Sequence, residues 1–242
     1  MSRALGISDI QLPYHDNRAL EVCLSQLEEG MDVYCVGDEI DFPMVSRWSK
    51  GWAAEYAGDL QKHIDLNFEL WSTVRSIVGF DASIHISRSN HGDRLERYVE
   101  RYAPGLIGLR GLNLEHILGY DELGIEFHRK PFEFAPDWLL MHGDEGSLSR
   151  ISGRTAGLLA EQYDMSVMCG HTHRLGTSSK TRGFGRRRRT VQGVEVGHLM
   201  DVKKAGYVNN PDWQQGFAII HRDGRMTEVQ TVNIIKGKAV GL

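Results

Sequence analysis

The sequence Val167-Met168-Cys169-Gly170-His171-Thr172-His173-Arg174 is the most informative stretch of this 242-residue chain. Its apolar residues are typical of a buried strand, which stops at Gly170 and is followed by two histidines one residue apart. In an extended or tightly turning segment, alternate side chains can reach a common centre. The glycine permits close approach of the backbone, and Thr172 can hydrogen-bond locally to fix the turn. This stretch therefore predicts a metal site at the end of a strand.

Four other predicted strands also end in residues that can bind a metal. The strand at residues 4–7 precedes Asp9, 31–36 precedes Asp38, 82–87 precedes Asn90 and His91, and 138–141 precedes His142. A helix from Asp16 or Asn17 to about residue 29 joins the first two strands, which makes a βαβ unit with both acids at one sheet edge. Oxygen and nitrogen ligands suit first-row divalent ions. Because five such strand ends rarely arise from packing alone, we predict one shared metal centre.

Length and composition favour one soluble domain over residues 1–242. Hydrophobic residues make up 41% and charged residues 25%, which is ordinary for a globular protein. The net charge of −4 argues against a general polyanion binder, so contact with nucleic acid requires a local basic patch. Three widely spaced cysteines argue against a disulfide framework and for a reducing compartment. Without a signal-peptide core or a membrane-spanning stretch, we expect a cytoplasmic protein with no membrane partner.

The remaining elements are predicted from periodicity. We expect further helices at residues 42–79, 94–101, 112–118 and 150–163, and strands at Ile125–His128, Ser166–Cys169, 191–196, 216–221 and 229–235. Helical spacing in the first of these helices relates Tyr56, Leu60, Ile64, Phe68, Trp71, Val74 and Val78. We interpret them, with Trp48 and Trp52, as core residues rather than as a platform for stacked bases. Residues 175–189 are expected to form a polar loop.

Taken together, the motifs resemble those of the calcineurin-like metallophosphoesterases. They are Asp9-x-Gln11, Gly37-Asp38-x-x-Asp41, Asn90-His91, His142 and Gly170-His171-x-His173, in the order and approximate spacing of that family. Residues 195–200 and 213–217 are similar to the C-terminal strands of phage-encoded members, which would place the protein in the host cytoplasm. The resemblance implies an α/β fold, a two-sheet β-sandwich flanked by helices, with a dinuclear metal centre at the C-terminal ends of the strands.

The resemblance also implies a role for each motif residue. Two divalent metal ions would be bridged by Asp38. The first would bind Asp9, Gln11 and His173, and the second would bind Asn90, His142 and His171. A hydroxide shared by the two ions would attack the phosphate in line. His91 would be the catalytic imidazole that protonates the leaving oxygen, and Asp41 would orient it.

Three departures from the family pattern affect this interpretation. Gln11 stands where the family usually has histidine, and an amide oxygen favours harder ions. We therefore expect Mn²⁺ or Mg²⁺ in preference to Zn²⁺, with Fe and Ni²⁺ as further alternatives. Gly92 replaces an expected acid, so that orientation of His91 depends on Asp41, with Asp93 as a second candidate. Phe42 replaces the arginine of Ser/Thr phosphoprotein phosphatases, which argues against that class.

A run of basic residues follows the paired histidines. Arg174, Lys180, Arg182, Arg186, Arg187, Arg188 and Arg189 occur without an intervening acid. The run is either a solvated loop or a basic loop over residues 174–189 that tracks a polyanionic backbone near the active site. In the second case Arg174 and the four consecutive arginines bind substrate. Arg174 alone is equally consistent with an exposed structural residue.

These observations predict an enzyme that hydrolyses phosphodiesters, with a DNA or RNA nuclease as the first specific candidate. A phosphomonoesterase is the alternative activity, and a non-catalytic scaffold that keeps the fold is the alternative of a different class. His85, His116, His128 and His221 are interpreted as structural or surface residues, and Glu39 as a loop carboxylate. His198 is considered for a substrate role. The sequence predicts no oligomeric state.

Overall fold

The protein is an α/β sandwich in which two β-sheets pack face to face and helices cover their outer surfaces. The computed structural model describes residues 2–47, 50–51, 58–204 and 210–242. Its strands are β1 Ser2–Ile7, β2 Asp32–Cys35, β3 Ile84–Ser87, β4 Ile125–His128, β5 Phe132–Ala135, β6 Trp138–Leu140, β7 Ser166–Cys169, β8 Leu175–Arg182, β9 Arg189–Val196, β10 Gly216–Asp223, β11 Met226–Ile235 and β12 Lys238–Val240. Its α-helices are α1 Asn17–Leu24, α2 Leu60–Val78, α3 Asp93–Tyr102, α4 Leu114–Ile117 and α5 Arg154–Tyr163.

The two sheets present the C-terminal ends of their parallel strands at a common edge. The seven-stranded sheet has the order β12-β11-β10-β1-β2-β3-β4, and its strands β1 to β4 are parallel. The five-stranded sheet has the order β5-β6-β7-β9-β8, and β6, β7 and β9 are parallel. Every predicted ligand-bearing loop follows one of these parallel strands. This topology is what concentrates polar side chains at one edge of the sandwich.

Three apolar cores hold the layers together. The core between the sheets is built from inward-facing residues that include Tyr34, Trp138, Met168 and Ile220. A second core lies between the seven-stranded sheet and the helices α1, α2 and α4. A third lies between the five-stranded sheet and α5. The predicted two-sheet sandwich flanked by helices is thus confirmed.

The largest error of the sequence-based prediction concerns residues 175–189. They do not form a polar loop: they form β8, a short 3₁₀ helix at Gly185–Arg187, and the start of β9. Strand β8 lies at the edge of its sheet, and among the described strands it pairs with β9 alone. An edge strand that faces solvent tolerates polar residues, so it shows no apolar alternation that would predict it.

Smaller differences occur elsewhere. Residues 42–79 contain a 3₁₀ helix at Pro43–Val45 and the helix α2, while Trp48, Trp52 and Tyr56 lie outside the described residues. In α2 the predicted apolar stripe is confirmed, because Ile64, Trp71, Val74 and Val78 are buried. The strand β5 was not predicted. Within the described ranges, no helix combines the length and the apolar character needed to cross a membrane.

Candidate metal centre

The predicted ligands converge at the edge where the parallel strands end. Asp9 and Gln11 follow β1, Asp38 follows β2, Asn90 follows β3, His142 follows β6, and His171 and His173 follow β7. Five of these seven residues have left-handed backbone conformations, with φ of +48° at Asp9, +51° at Gln11, +54° at Asp38, +66° at His171 and +58° at His173. Non-glycine residues adopt this conformation rarely and at an energetic cost. Such a concentration of strained residues is typical of a functional site.

Asp38 lies between two groups of possible ligands. One group contains Asp38, His142 and His171, and the other contains Asp9, Asp38 and His173, with ligand atoms within 4.8 Å of one another in each group. Asp38 Oδ2 lies 3.4 Å from His142 Nε2, and Asp38 Oδ1 accepts a hydrogen bond of 3.2 Å from the backbone N–H of His91. A carboxylate shared by two groups is the arrangement that a bridging ligand requires.

The first group is built around Asp9. His173 Nε2 lies 3.1 Å from Asp9 Oδ1 and 3.0 Å from Gln11 Nε2. The other carboxylate oxygen, Asp9 Oδ2, accepts hydrogen bonds from the Ser8 hydroxyl and from the backbone N–H of His171. Asp9 is therefore fixed by one oxygen and presents the second to the centre, beside Gln11 and His173.

The second group is built around His142. Its Nδ1 lies 2.8 Å from the carbonyl oxygen of Val36, which fixes the ring so that Nε2 points toward the site. Around Nε2 lie Asn90 Oδ1 at 2.8 Å and His171 Nδ1 at 3.2 Å. One backbone carbonyl thus orients an imidazole whose other nitrogen meets the remaining ligands of this group.

The unsatisfied atoms of the site fit divalent cations. Asp9 and Asp38 are buried, and neither Asp9 Oδ1 nor Asp38 Oδ2 forms a hydrogen bond of regular geometry among the described residues; the imidazoles of His173 and His142 lie beside them at 3.1 Å and 3.4 Å. Burial alone would raise the pKa of Asp38, but the neighbouring His142 and His91 outweigh it and hold that pKa well below its usual range. Burial lowers the pKa of His142, whereas Asp38 and Asp9 raise it to about 10. A metal ion can replace the proton that His142 otherwise carries.

His91 lies beside the two groups, in contact with Asp41 and Arg94. His91 Nδ1 is 2.5 Å from Asp41 Oδ1, and Arg94 places one nitrogen 2.8 Å from the same oxygen and another 3.0 Å from His91 Nε2. Because a guanidinium can only donate, Nε2 is the acceptor and the ring proton is on Nδ1, facing Asp41. Asp93 does not take part, because it pairs with Arg88 and Arg97.

The basic residues predicted to bind substrate extend from the residue after His173 to the tip of a hairpin. Arg174 follows His173 directly, but its Nε faces Asp212 Oδ2 at 3.6 Å. Arg186, Arg187 and Arg188 are exposed at the tip of the β8–β9 hairpin, and Arg189 pairs with Asp164 of the segment after α5. The tip is separated from His173 by the length of β8, about 23 Å at 3.3 Å per residue. The arginines of the hairpin tip are therefore a strand length away from His173.

Some residues have contacts near the centre that the sequence did not predict. Arg94 is the clearest case, and its only sequence signal is its position three residues after His91 at the start of a helix. Glu39 lies in the loop after β2, as expected, but it is buried and accepts a hydrogen bond of 2.7 Å from the Tyr120 hydroxyl. Burial raises the pKa of Glu39 to about 7.

Three further histidines have notable positions, one next to the centre and two in a separate cluster. His198 is buried beside His173, with ring centroids 5.7 Å apart, and burial lowers its pKa to about 3. His85, Glu126 and His128 form a separate cluster of potential ligands on β3 and β4. His85 Nδ1 and His128 Nε2 are 3.0 Å apart in this cluster, which is not part of the centre described above.

Comparison with known sequences finds two phage proteins of similar length. The gene 54 protein of Mycobacterium phage L5 is 29% identical over 244 residues, which covers 98% of this chain and 95% of that protein. The gene 54 protein of Mycobacterium phage D29 matches with the same identity and coverage. No protein-family model matches the sequence.

Comparison with solved structures finds distant similarity along nearly the whole chain. Vps29 from Cryptosporidium parvum has a TM-score of 0.49 at 13% identity and covers 99% of this chain and 94% of its own. Wild-type Vps29 from Entamoeba histolytica, complexed with Zn²⁺, has a TM-score of 0.48 at 14% identity, with coverages of 98% and 96%. A predicted phosphoesterase from Streptococcus pneumoniae has a TM-score of 0.39 at 11% identity, with coverages of 99% and 95%. Scores of this size carry no conclusion about activity.

Proposed function

We propose that this protein is a metal-dependent phosphoesterase of the calcineurin-like type that hydrolyses phosphodiesters, with two divalent ions bound at the centre. Asp9, Gln11 and His173 would hold one ion, Asn90, His142 and His171 the other, and Asp38 both. When bound, two such ions activate water for attack and neutralise charge on the phosphate. The observation that supports this most directly is the pair of buried carboxylates, Asp9 and Asp38, whose inner oxygens lack a regular hydrogen bond and face the ligand nitrogens of His173 and His142.

The chain's own contribution to the chemistry centres on His91. A protonated imidazole donates its Nε2 proton to the leaving oxygen, a role worth about 10²- to 10⁴-fold in rate. In the structure Arg94 occupies Nε2, so the arginine must leave this nitrogen before it can carry a proton. A phosphate oxygen is a stronger attraction for a guanidinium than a neutral imidazole. Arrival of substrate would thus draw Arg94 to the phosphate and free His91 Nε2 to take up a proton from solvent, which it then donates to the leaving oxygen, while Asp41 keeps the ring in place.

The geometry also bears on the alternatives. A non-catalytic scaffold needs neither His91 nor the Asp41 and Arg94 side chains that position it, so this arrangement favours an enzyme. A phosphomonoesterase remains the second candidate activity, because the centre itself treats both esters alike. Diester hydrolysis is favoured because Asn90 lines a groove along α3 that leaves room for a second substituent on the phosphate. We keep Mn²⁺ as the first candidate ion because of the Gln11 amide.

Hydrolysis of a bis-aryl phosphodiester and of the matching monoester tests the proposal. Each ester is assayed with Mn²⁺, Mg²⁺, Ni²⁺ or Zn²⁺, using the wild type, His91→Ala and, as a matched control, the exposed His116→Ala. We expect metal-dependent diester turnover that falls at least about a hundredfold in His91→Ala and is kept in His116→Ala. Faster monoester turnover would establish the second candidate. Bound metal without turnover of either ester would favour the scaffold.

A further inference from the structure

A groove beside the metal centre is lined by one face of α3. Arg94, Arg97 and Arg101 follow one another at spacings of three and four residues, which places them on one side of a helix. Tyr98 and Tyr102 continue the same side. These residues and Asn90 line a cavity of about 380 Å³, together with Arg47, Lys50 and residues 44–46. Because Asn90 is also a predicted ligand, the groove starts at the centre itself.

The groove is strongly basic in a chain whose net charge is −4. Five of its described lining residues are arginine or lysine, and no described lining residue is acidic. Arg97 pairs with Asp93 in an exposed i,i+4 contact of 3.0 Å, a kind of ion pair that contributes little to stability. Arg101 has no acidic partner within the described part of the chain and lies 5.4 Å from the centre of the Tyr102 ring. These guanidinium groups can therefore turn to an anionic ligand at small cost.

The tyrosines give the groove a second property. Tyr98 and Tyr102 are 43% and 49% exposed, although large aromatic side chains are usually covered. Their ring centroids are 4.7 Å apart. Exposed aromatic rings next to basic side chains are the combination that binds single-stranded nucleic acid, because bases stack on the rings while phosphates meet the cations.

The dimensions select the form of the ligand. From Arg94 to Arg101 the helix rises about 10 Å at 1.5 Å per residue. A stacked strand with about 3.4 Å per nucleotide places about three nucleotides along that length. Bases must be unpaired before they can stack on the tyrosines, which favours a single strand over a duplex.

We propose that the α3 groove binds a single-stranded oligonucleotide of about three nucleotides, with Arg97 and Arg101 on its phosphates and Tyr98 on a base. Arg94 and Asn90 connect the groove to the metal centre, so a strand bound in the groove can reach that centre. The proposal rests on the proposed function only for the hydrolysis of the bound strand. Binding in the groove is separate from hydrolysis and can be measured without it. Because the chemistry of the groove is common to DNA and RNA, both are tested.

The experiment measures the affinity of fluorescent eight-nucleotide DNA and RNA strands by anisotropy. The background is His91→Ala, so that binding is observed whether or not the wild type is an enzyme. Arg97→Gln with Arg101→Gln removes two positive charges from the groove. The matched control, Arg186→Gln with Arg187→Gln, removes the same charge from the hairpin tip. A third variant, Tyr98→Leu, removes one ring and keeps an apolar side chain.

We expect Arg97→Gln with Arg101→Gln to bind at least tenfold more weakly than the hairpin control. The slope of log affinity against log salt concentration should be shallower by about 1.4 in this double variant, which is 0.7 for each lost phosphate contact. Tyr98→Leu should weaken binding about fivefold or more without changing the salt dependence. An abasic sugar-phosphate strand should bind equally to Tyr98→Leu and to its parent. The ratio of the DNA and RNA affinities measures which of the two sugars the groove prefers.

Three results would overturn the proposal. One is equal loss of affinity in the groove variant and the hairpin control, which would indicate unspecific attraction by charge. Another is affinity for an eight-base-pair duplex that matches or exceeds that for the single strand. The last is unchanged affinity both in Arg97→Gln with Arg101→Gln and in Tyr98→Leu, when the thermal unfolding and metal content of these variants match those of the parent protein. Failure of hydrolysis alone would count against the proposed function and leave the groove intact.

Discussion

Gly170 shows how closely the chain must approach itself for the centre to form. A Cβ atom at this position would lie closer than 3.0 Å to Ser8 Oγ and to Asp9 Oδ2. The φ of Gly170 is not positive, so its backbone conformation does not require glycine. The glycine is required because a larger side chain has no space there. Without this contact the backbone N–H of His171 would not reach the Asp9 carboxylate.

We expect Gly170→Ala to displace Asp9 and to lower the free energy of unfolding by about 1–3 kcal/mol, the usual cost of overpacking. Metal affinity should fall as well, because Asp9 is a ligand of the first ion. Urea unfolding in EDTA measures the first effect, and titration with Mn²⁺ the second. Gly105→Ala is the control, since no atom lies within 4 Å of a Cβ there. Equal stability of the two variants would contradict the steric argument.

Gln11 is the residue at which this chain departs from the usual ligand set. Its Nε2 lies 3.0 Å from His173 Nε2, so a ring placed at position 11 would face the same ion. We expect Gln11→His to raise the affinity for Zn²⁺ relative to Mn²⁺, by at least the roughly tenfold that even outer partners of metal ligands are worth. Competition with a coloured chelator measures both affinities. An unchanged ratio would show that residue 11 is not a ligand.

At the scale of elements, success and failure of the sequence-based prediction have one cause. Strands such as β7 are buried on both faces and therefore consist of apolar residues, and the polar residues that follow them mark where each strand ends. The edge strand β8 has no such contrast, so its polar and basic residues predict a loop. The helix α3 was predicted, but periodicity alone does not reveal that Arg94 faces His91 and that Arg97 and Arg101 line a groove.

The pairing of β3 with β4 brings two histidines into a partly buried contact. His85 stacks on Tyr34 and His128 stacks on Phe132, and their facing nitrogens are 3.0 Å apart. Burial lowers the pKa of both rings below the ordinary 6.5, and it outweighs Glu126 and, for His85, Asp32, which act in the opposite direction. Both rings are consequently neutral in the folded protein near neutral pH.

This contact makes stability depend on pH. Because the folded pKa values are depressed, the unfolded chain binds more protons once the pH falls below about 6.5. The contribution of the pair is fully present above that pH and is lost on acidification toward the folded pKa values. We expect His85→Gln with His128→Gln to flatten the decline in unfolding free energy between pH 7.5 and 5, as measured by urea unfolding in EDTA. His116→Gln, at an exposed site, should keep the wild-type slope.

At the scale of the whole molecule, the centre joins the two sheets. Asp9, Asp38 and Asn90 extend from β1, β2 and β3 of the seven-stranded sheet, whereas His142, His171 and His173 extend from β6 and β7 of the five-stranded sheet. Each ligand group contains residues from both. The sequence predicted which strand ends would meet, but it did not show that they belong to different layers, because strand order within a sheet depends on long-range pairing.

Metal removal should therefore weaken the packing of the sandwich as well as the site. Without ions, the carboxylates of Asp9 and Asp38 stay buried where the sheets meet, with the imidazoles of His173 and His142 beside them and no regular hydrogen bond to their inner oxygens among the described residues. An ion at a hundred times its dissociation constant stabilises the folded state by about 2.7 kcal/mol. For a chain of this length that corresponds to a rise in Tm of about 5–10 °C. We expect this rise when Mn²⁺ is added to protein treated with EDTA, as followed by calorimetry.

Asp38→Asn tests whether the rise in Tm caused by Mn²⁺ depends on the carboxylate shared by the two ligand groups. Replacing this carboxylate removes the charge that both ligand groups share, so added Mn²⁺ should raise Tm much less than in the wild type. His85→Gln should retain the full rise, because its cluster on β3 and β4 lies outside the centre. If the two variants responded alike, the ions would be acting elsewhere than between the sheets. If Asp38→Asn alone lost the rise in Tm, the Asp38 carboxylate would couple metal binding to the packing of the two sheets.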